Sequence, residues 1–198
     1  NRHAYEMIRH NTIFTNVAVT ADNQRIVDGV SPSQLLPSLE VDGVDMPLVR
    51  AEDCLVQGEN SARTADVVTL VAIDLAAGTH RHQARCFVGG TEAFYMSDAA
   101  LYLATTRYAY SMAPSGPQYA SGTRTDLHKF SLEGLTMNYR GSGSVAGHLG
   151  FAQDRKSFRM GEYQGFLRVV TEQDAVVAAA STSTAVQGAS PMRLTVLK

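Results

Sequence analysis

Hydrophobic and polar positions alternate in short runs along much of this chain, and one such pattern occurs twice. The first copy is Phe94-x-Met96-x-Asp98 followed by Leu101-Tyr102-Leu103-Ala104-Thr105, and the second is Phe158-x-Met160-x-Glu162 followed by Leu167-Arg168-Val169-Val170-Thr171. Short alternating runs rich in aromatic and β-branched residues are typical of strands. Each copy therefore predicts two strands joined by a tight turn.

Related strand-like segments precede each copy, at residues 71–75 and 127–132, and both lead through a polar run into glycines. A repeated order of four strands is typical of the radially arranged sheets of a β-propeller. The predicted fold class is all-β: stacked four-stranded antiparallel sheets of β-propeller blades, in an incomplete ring of about two to two and a half blades.

Several segments give the order of the predicted blades. Residues 48–56 predict a strand, and residues 67–75 are apolar on both faces, which predicts a strand covered on both sides. Residues 113–122, with two prolines and two glycines, predict a surface loop, and residues 126–132 and 137–141 predict a hairpin. Residues 145–154 form a longer crossing at which one blade would end and the next begin.

The two ends of the chain differ from this repeated part. We expect residues 1–47 to be an irregular N-terminal segment and residues 48–198 to hold the blades. Residues 3–15 predict a short helix or the beginning of a strand, and residues 31–47 predict a connection with at most a hairpin at Asp42-Gly43. The start at Asn1 and the strand at residues 193–198 suggest a piece of a longer chain, with an unpaired strand edge open to self-association.

Composition narrows the classes of partner. The chain has 198 residues, 44% of them hydrophobic, and a formal net charge of −2, with its basic residues scattered. A nucleic-acid-binding surface would need clustered positive charge, so we expect no nucleic-acid partner. The chain has no apolar run of the roughly 20 residues that a membrane-spanning helix requires.

The two cysteines, Cys54 and Cys86, are the only thiols of the chain. They lie in separate predicted strands, where in an exported protein they would pair as a disulfide and in a cytosolic one would be small buried apolar residues. Neither belongs to a C-x-x-C unit, so we expect no metal site here.

The candidate binding residues lie at the repeated turn. Asp98 and Glu162 occur at equivalent places in the two copies, which favours a role in the turn, with a shared ligand site as the alternative. Together with Tyr163, they are the candidate ligand-binding set. A second candidate is a carbohydrate surface of strand tyrosines, although such residues more often pack between strands: Tyr102, Tyr108, Tyr110 and Tyr119.

Other chemically suggestive residues have simpler interpretations. His80-x-His82 lacks a third metal ligand nearby, and His128 is interpreted as a packing or hydrogen-bonding residue. The glycines from Gly141 to Gly147 have no following helix pattern, so they are interpreted as turn and close-approach positions. We assign no catalytic residue, metal or cofactor from the sequence.

The densest match to a known family lies between residues 125 and 171. Thr125-Asp126-Leu127-His128-Lys129-Phe130, then Tyr139-Arg140-Gly141-Ser142-Gly143, then Phe158-x-Met160-x-Glu162-Tyr163-x-Gly165 resemble the secreted or envelope-associated β-propeller-domain proteins of bacteria and archaea. The resemblance covers roughly residues 48–198. It implies a fold built of blades, export to the cell envelope or outside the cell, and no catalytic residues to carry over.

Two classes of function follow from these expectations. The favoured one is a non-catalytic exported scaffold or recognition module with a protein or glycan ligand of the cell envelope. The alternative is part of a propeller enzyme, a glycan- or peptide-processing hydrolase or lyase, whose site needs blades outside this chain.

Overall fold

The computed structural model describes residues 17–58, 66–76, 81–108, 110–113, 116–119, 122–173 and 191–198. The helix or strand predicted at residues 3–15 lies outside the described residues, as does His80. The same holds for the serine- and threonine-rich stretch at residues 174–190.

Two α-helices, two short 3₁₀ helices and fourteen strands make up the described part of the chain. The helices are α1 (Val17–Gly29), α2 (Pro32–Leu35) and the 3₁₀ helices Ala51–Asp53 and Gln153–Arg159. The first seven strands are β1 (Ser38–Val41), β2 (Val44–Pro47), β3 (Cys54–Val56), β4 (Val67–Asp74), β5 (Arg81–Val88), β6 (Ala93–Met96) and β7 (Ala100–Arg107). The other seven are β8 (Tyr110–Ala113), β9 (Gly116–Tyr119), β10 (Arg124–Glu133), β11 (Thr136–Ala146), β12 (Met160–Tyr163), β13 (Phe166–Glu172) and β14 (Met192–Leu197).

The chain divides into two compact units. Unit 1 comprises Asn1–Val56, Val67–Val71 and Ala84–Val88, and unit 2 comprises Gln57–Asp66, Ala72–Gln83 and Gly89–Lys198. The domain boundary predicted after Pro47 stays a prediction.

Unit 1 has a small core around a parallel strand pair. Strands β3 and β5 run parallel, with Cys54 opposite Cys86. Leu36, Val49 and Cys86 are buried together, and partly buried side chains such as Ala84 pack against them. This parallel pair departs from the predicted antiparallel arrangement.

The hairpin predicted at Asp42-Gly43 is confirmed. Strands β1 and β2 pair antiparallel from Ser38 opposite Pro47 to Val41 opposite Val44. Asp42 and Gly43 both have positive φ angles, 52° and 78°, as a two-residue turn of the type favoured in hairpins requires.

Unit 2 contains the repeated hairpins. Strands β6, β7, β10 and β11 form an antiparallel four-stranded sheet in the order β11-β10-β7-β6, and β12, β13 and β14 form an antiparallel three-stranded sheet in that order. The crossing between the sheets comprises residues 147–159, which overlaps the predicted residues 145–154 and extends beyond them. These strands confirm the all-β class and the repeated order of the predicted blades.

The core of unit 2 lies where these two sheets meet. Apolar side chains of both sheets form one buried cluster, with Ala104 and Val169 fully shielded from solvent. Leu197 of β14 packs against the same cluster. Fully burying a side chain of this size contributes about 1.5–3 kcal/mol, so this cluster is the main source of stability for the two sheets.

Four local expectations were wrong. Residues 48–56 hold a 3₁₀ helix before the short β3, because Arg50 pairs with Asp53 one helical turn later, Nε to Oδ2 2.7 Å. Strand β4 is an edge strand with Val71 and Ile73 exposed, so it is not covered on both sides.

The other two concern residues 113–122 and the second repeat. Residues 110–119 include the β8–β9 hairpin rather than an unbroken loop. In the second repeat, Phe158 belongs to a 3₁₀ helix and is 86% exposed, so the strand begins only at Met160.

Candidate binding site

The structure places the residues of the predicted ligand-binding set in different local settings, and their role in binding stays a prediction. Asp98 is exposed in the turn between β6 and β7, whereas Glu162 lies within strand β12. Tyr163 ends β12 with its ring under the guanidinium of Arg168, 4.9 Å from the Cζ atom. The prediction that Asp98 and Glu162 occupy equivalent turn positions was therefore wrong. The 3₁₀ helix before Met160 shifts the second strand relative to the sequence pattern.

Glu162 instead links the two sheets of unit 2. Its carboxylate accepts a hydrogen bond from the Ser97 hydroxyl, at 2.5 Å, and its backbone N–H donates to the Tyr95 hydroxyl, at 3.0 Å. The Ser97 Oγ also accepts the backbone N–H of Ala100, which holds the β6–β7 turn. Glu162 thus joins the second repeat to the turn of the first.

A row of side chains crosses the four-stranded sheet beside this link. The register places Tyr95 opposite Tyr102, Tyr102 opposite Lys129, and Lys129 opposite Gly141. Directly opposed residues share one face of a sheet. The Lys129 ammonium lies 5.4 Å from the centre of the Tyr102 ring, within the range of a cation–π interaction.

Tyr102 carries a buried hydroxyl with an unusual environment. The residue is 3% exposed, and its hydroxyl makes no hydrogen bond of normal geometry within the part of the chain that the structure describes. Burial raises the pKa of this hydroxyl. The Lys129 ammonium lowers that pKa and the Glu162 carboxylate raises it, each through its charge and through a weak hydrogen-bonding interaction with the hydroxyl. The phenol stays protonated near neutral pH and can donate a hydrogen bond.

A cavity of about 220 Å³ opens next to this row. Leu127, Leu167 and Leu197 supply apolar parts of its wall, and Tyr102 and Lys129 supply polar parts. The cavity lies among β7, β10, β11, β13 and the end of β14, so both sheets of unit 2 contribute to it. We call it the Tyr102 cavity.

Two glycines of β11 create this space. Gly141 and Gly143 line the cavity, and a Cβ atom added at either would meet no atom within 4 Å. They stand opposite Lys129 and Leu127, where a larger side chain would fill the sheet face. Gly143 has no positive φ angle, so a side chain there would enter the cavity without backbone strain.

A β-bulge brings a second cation to the cavity. Lys129 faces Gly141 while Phe130 faces Tyr139, which leaves Arg140 as the extra residue of β11. A bulge of this kind redirects side chains at the edge of a sheet. Arg140 lines the cavity, and so does Lys198, which follows β14.

None of the described histidines lines this cavity. His128 is buried, and its Nδ1 is 3.2 Å from the Tyr139 hydroxyl, in agreement with the hydrogen-bonding role predicted for it. Burial lowers the pKa of its imidazole. His82 lies on β5, and no group of three or more potential metal ligands occurs among the described residues.

The structure describes the side chains of two of the four strand tyrosines considered above as a carbohydrate surface. Tyr102 is buried, and Tyr108 stacks on Phe151 with ring centres 6.4 Å apart. The side chains of Tyr110 and Tyr119 lie outside the described residues. The sequence analysis named Tyr102 as a candidate binding residue but missed Lys129 and Arg140. The glycines of β11, which leave space beside these two side chains, were the sequence feature that could have indicated the site.

The structure joins Cys54 and Cys86 in a disulfide, with their Cα atoms 4.3 Å apart. Both residues lie in unit 1, and Cys86 is fully buried. The bond links β3 to β5 at the point where the two strands pair.

No helix in the described ranges has both the length and the apolar character needed to cross a membrane.

Comparison with protein families gave one match to this chain. The model described as "Beta propeller domain" matches residues 7–198, which is nearly the whole sequence. The chain belongs to the β-propeller-domain family. The repeated hairpins of unit 2 fall within the matched residues. Neither curated proteins nor solved structures gave a match.

Proposed function

We propose that this β-propeller-domain protein is an exported recognition module that binds a protein or glycan of the cell envelope in the Tyr102 cavity without transforming it. One observation carries the proposal: a buried hydroxyl without a partner in the described structure lines a cavity kept open by two glycines. Concave sites with a few convergent polar groups on apolar walls are the usual form of a ligand site.

The disulfide supports the exported part of the proposal. Such bonds form and persist mainly outside the reducing cytosol, and Cys54 and Cys86 are joined in this protein. Fractionation of the native host would test this part separately: the protein should appear in the envelope or secreted fraction, and a purely cytosolic location would contradict it.

The binding function can be tested on a glycan microarray, with purified bacterial envelope fractions as further probes. We expect the protein to retain a subset of glycans or an envelope protein, and Gly143→Leu to abolish that binding because the new side chain fills the cavity. The matched control is Gly161→Leu on β12, where an added Cβ also meets no atom within 4 Å but the residue does not line the cavity.

Two outcomes would overturn this proposal. Binding that survives Gly143→Leu unchanged would place the ligand elsewhere. Turnover of a glycoside or peptide substrate that Gly143→Leu removes and Gly161→Leu keeps would favour the alternative, a propeller enzyme.

A further inference from the structure

We propose that the Tyr102 cavity recognises an oxyanion, either the carboxylate of an acidic sugar or an inorganic phosphate, held by its cationic side chains and by the Tyr102 hydroxyl. This inference rests on the proposed binding function and adds the chemical class of the ligand.

The first argument is the charge around the cavity. Lys129, Arg140 and Lys198 line it, and none of the three forms an ion pair with another described residue. The nearby carboxylate of Glu162 is already hydrogen-bonded to Ser97. The cavity therefore has an excess of positive charge.

The contrast with other charges in unit 2 strengthens this point. Elsewhere in the described part of unit 2, partly buried cations stand next to carboxylates: Lys156 with Glu92 at 2.6 Å, Arg107 with Asp126 at 2.5 Å, and Arg159 with Glu172. Neutralising such groups offsets the cost of removing them from water. Lys129 is the partly buried cation of the Tyr102 cavity, and it has no such partner in the described structure, which favours an anion from outside. Arg140 and Lys198 are exposed and add positive charge to the same cavity.

The second argument is the Tyr102 hydroxyl. A buried donor without an acceptor is rare and costs free energy comparable to a lost hydrogen bond. The Tyr102 hydroxyl lies near the Glu162 carboxylate but makes no hydrogen bond of normal geometry with it, so it can still donate to a better placed acceptor. An oxyanion oxygen beside Lys129 would accept from both groups, in hydrogen bonds strengthened by charge.

The third argument is the size and composition of the cavity. Its volume of about 220 Å³ lies below the roughly 300–1,000 Å³ of sites for drug-sized ligands. A single sugar ring or one phosphate is therefore the appropriate scale. Leu127, Leu167 and Leu197 would contact the apolar C–H edges of a sugar ring, which gives the acidic sugar a contact that phosphate lacks.

Isothermal titration calorimetry with three probes tests the inference: sodium glucuronate, inorganic phosphate and neutral glucose, at low and at high salt. We expect at least one anion to bind, glucose to bind at least about tenfold more weakly, and salt to weaken the binding because it screens the charges. Binding of glucuronate alone would identify an acidic sugar as the source, and binding of phosphate alone would identify the free anion.

Substitutions assign the contacts. Lys129→Met keeps the aliphatic stem and should weaken anion binding about tenfold or more, and Tyr102→Phe should weaken it about threefold to tenfold. The control is Arg124→Met, which removes another β10 cation that does not line the cavity and should leave the affinity unchanged. Circular dichroism of each variant, matched to wild type, confirms that it folds.

Three results would overturn the inference: no binding of either anion, equal affinity for glucose and glucuronate, or unchanged anion affinity in Lys129→Met. If a neutral glycan on the array still depends on Gly143, the proposed recognition function stands while the oxyanion inference fails. The loss of both kinds of binding would contradict the function as well.

Discussion

Removing the disulfide between Cys54 and Cys86 should lower the free energy of unfolding by an amount that the structure allows to be estimated. The bond closes a loop with a sequence separation of 32 residues. For a loop of this length, the chain-entropy relation gives an unfolded-state entropy loss of ~12 cal/mol/K, which is ~3.7 kcal/mol at room temperature. For a chain of this size, that free energy corresponds to a fall in Tm of about 7–15 °C.

The assay is thermal unfolding followed by circular dichroism on three samples: oxidised wild type, wild type reduced with dithiothreitol, and the double variant Cys54→Ala with Cys86→Ala. Reduced wild type keeps both sulfur atoms, so it isolates the cross-link from packing. The double variant should unfold at a lower temperature still, because Cys86 is fully buried in the core of unit 1 and its truncation leaves a cavity.

Two results would refute this reasoning. If reduced and oxidised wild type unfold at the same temperature, the bond does not constrain the unfolded chain as the estimate assumes. If thiol titration of the unreduced, denatured protein finds both thiols free, the bond is not formed at all, and the support it gives to export is lost.

Three further predictions concern backbone strain, the pH dependence of stability and self-association. Gly147→Ala should lower the free energy of unfolding by about 2–4 kcal/mol. Gly147 has a φ of +94°, and a Cβ atom at this position would clash with the backbone carbonyl oxygen of Glu172. Gly143→Ala is the control, because a Cβ atom there would meet no atom within 4 Å. It should change the free energy of unfolding by less than about 0.5 kcal/mol in urea titrations, and equal destabilisation by the two substitutions would refute this reasoning. Burial lowers the folded-state pKa of His128 below 6.5, so the unfolded chain takes up the proton first, and stability should fall as pH drops below about 6.5. His128→Gln should flatten that pH dependence of Tm, and an unchanged slope would count against it. Strand β14 has no outer neighbour among the described strands and exposes Val196, so we expect self-association in sedimentation experiments that Val196→Lys reduces. A wild-type protein that is strictly monomeric at high concentration would contradict this last expectation.

Local sequence patterns predicted the strands of unit 2 well. The apolar runs of β7 and β13 predicted both strands, because side chains of each lie in the same buried cluster, where Ala104 and Val169 are fully shielded. The Asp42-Gly43 turn was predictable for the same reason: its residue types match the backbone angles that a two-residue hairpin needs.

The candidate site was less predictable, because it depends on strand pairing between distant segments. The Phe-x-Met pattern of the second repeat suggested that Glu162 occupies a turn, but the 3₁₀ helix ending at Arg159 moves it into a strand. Lys129 and Arg140 meet only because a β-bulge shifts the register between β10 and β11. A one-residue shift of this kind leaves no trace in periodicity.

The most direct test of the central claim, that the Tyr102 cavity binds a ligand, is a nuclear magnetic resonance titration. Backbone amide spectra of ¹⁵N-labelled protein would be recorded with glucose, glucuronate and phosphate in turn. We predict that at least one probe shifts resonances centred on Lys129, Gly141 and Gly143, and that these shifts disappear in Gly143→Leu while Gly161→Leu keeps them. Spectra in which none of the probes moves these resonances, or in which the shifts persist unchanged in Gly143→Leu, would contradict the account.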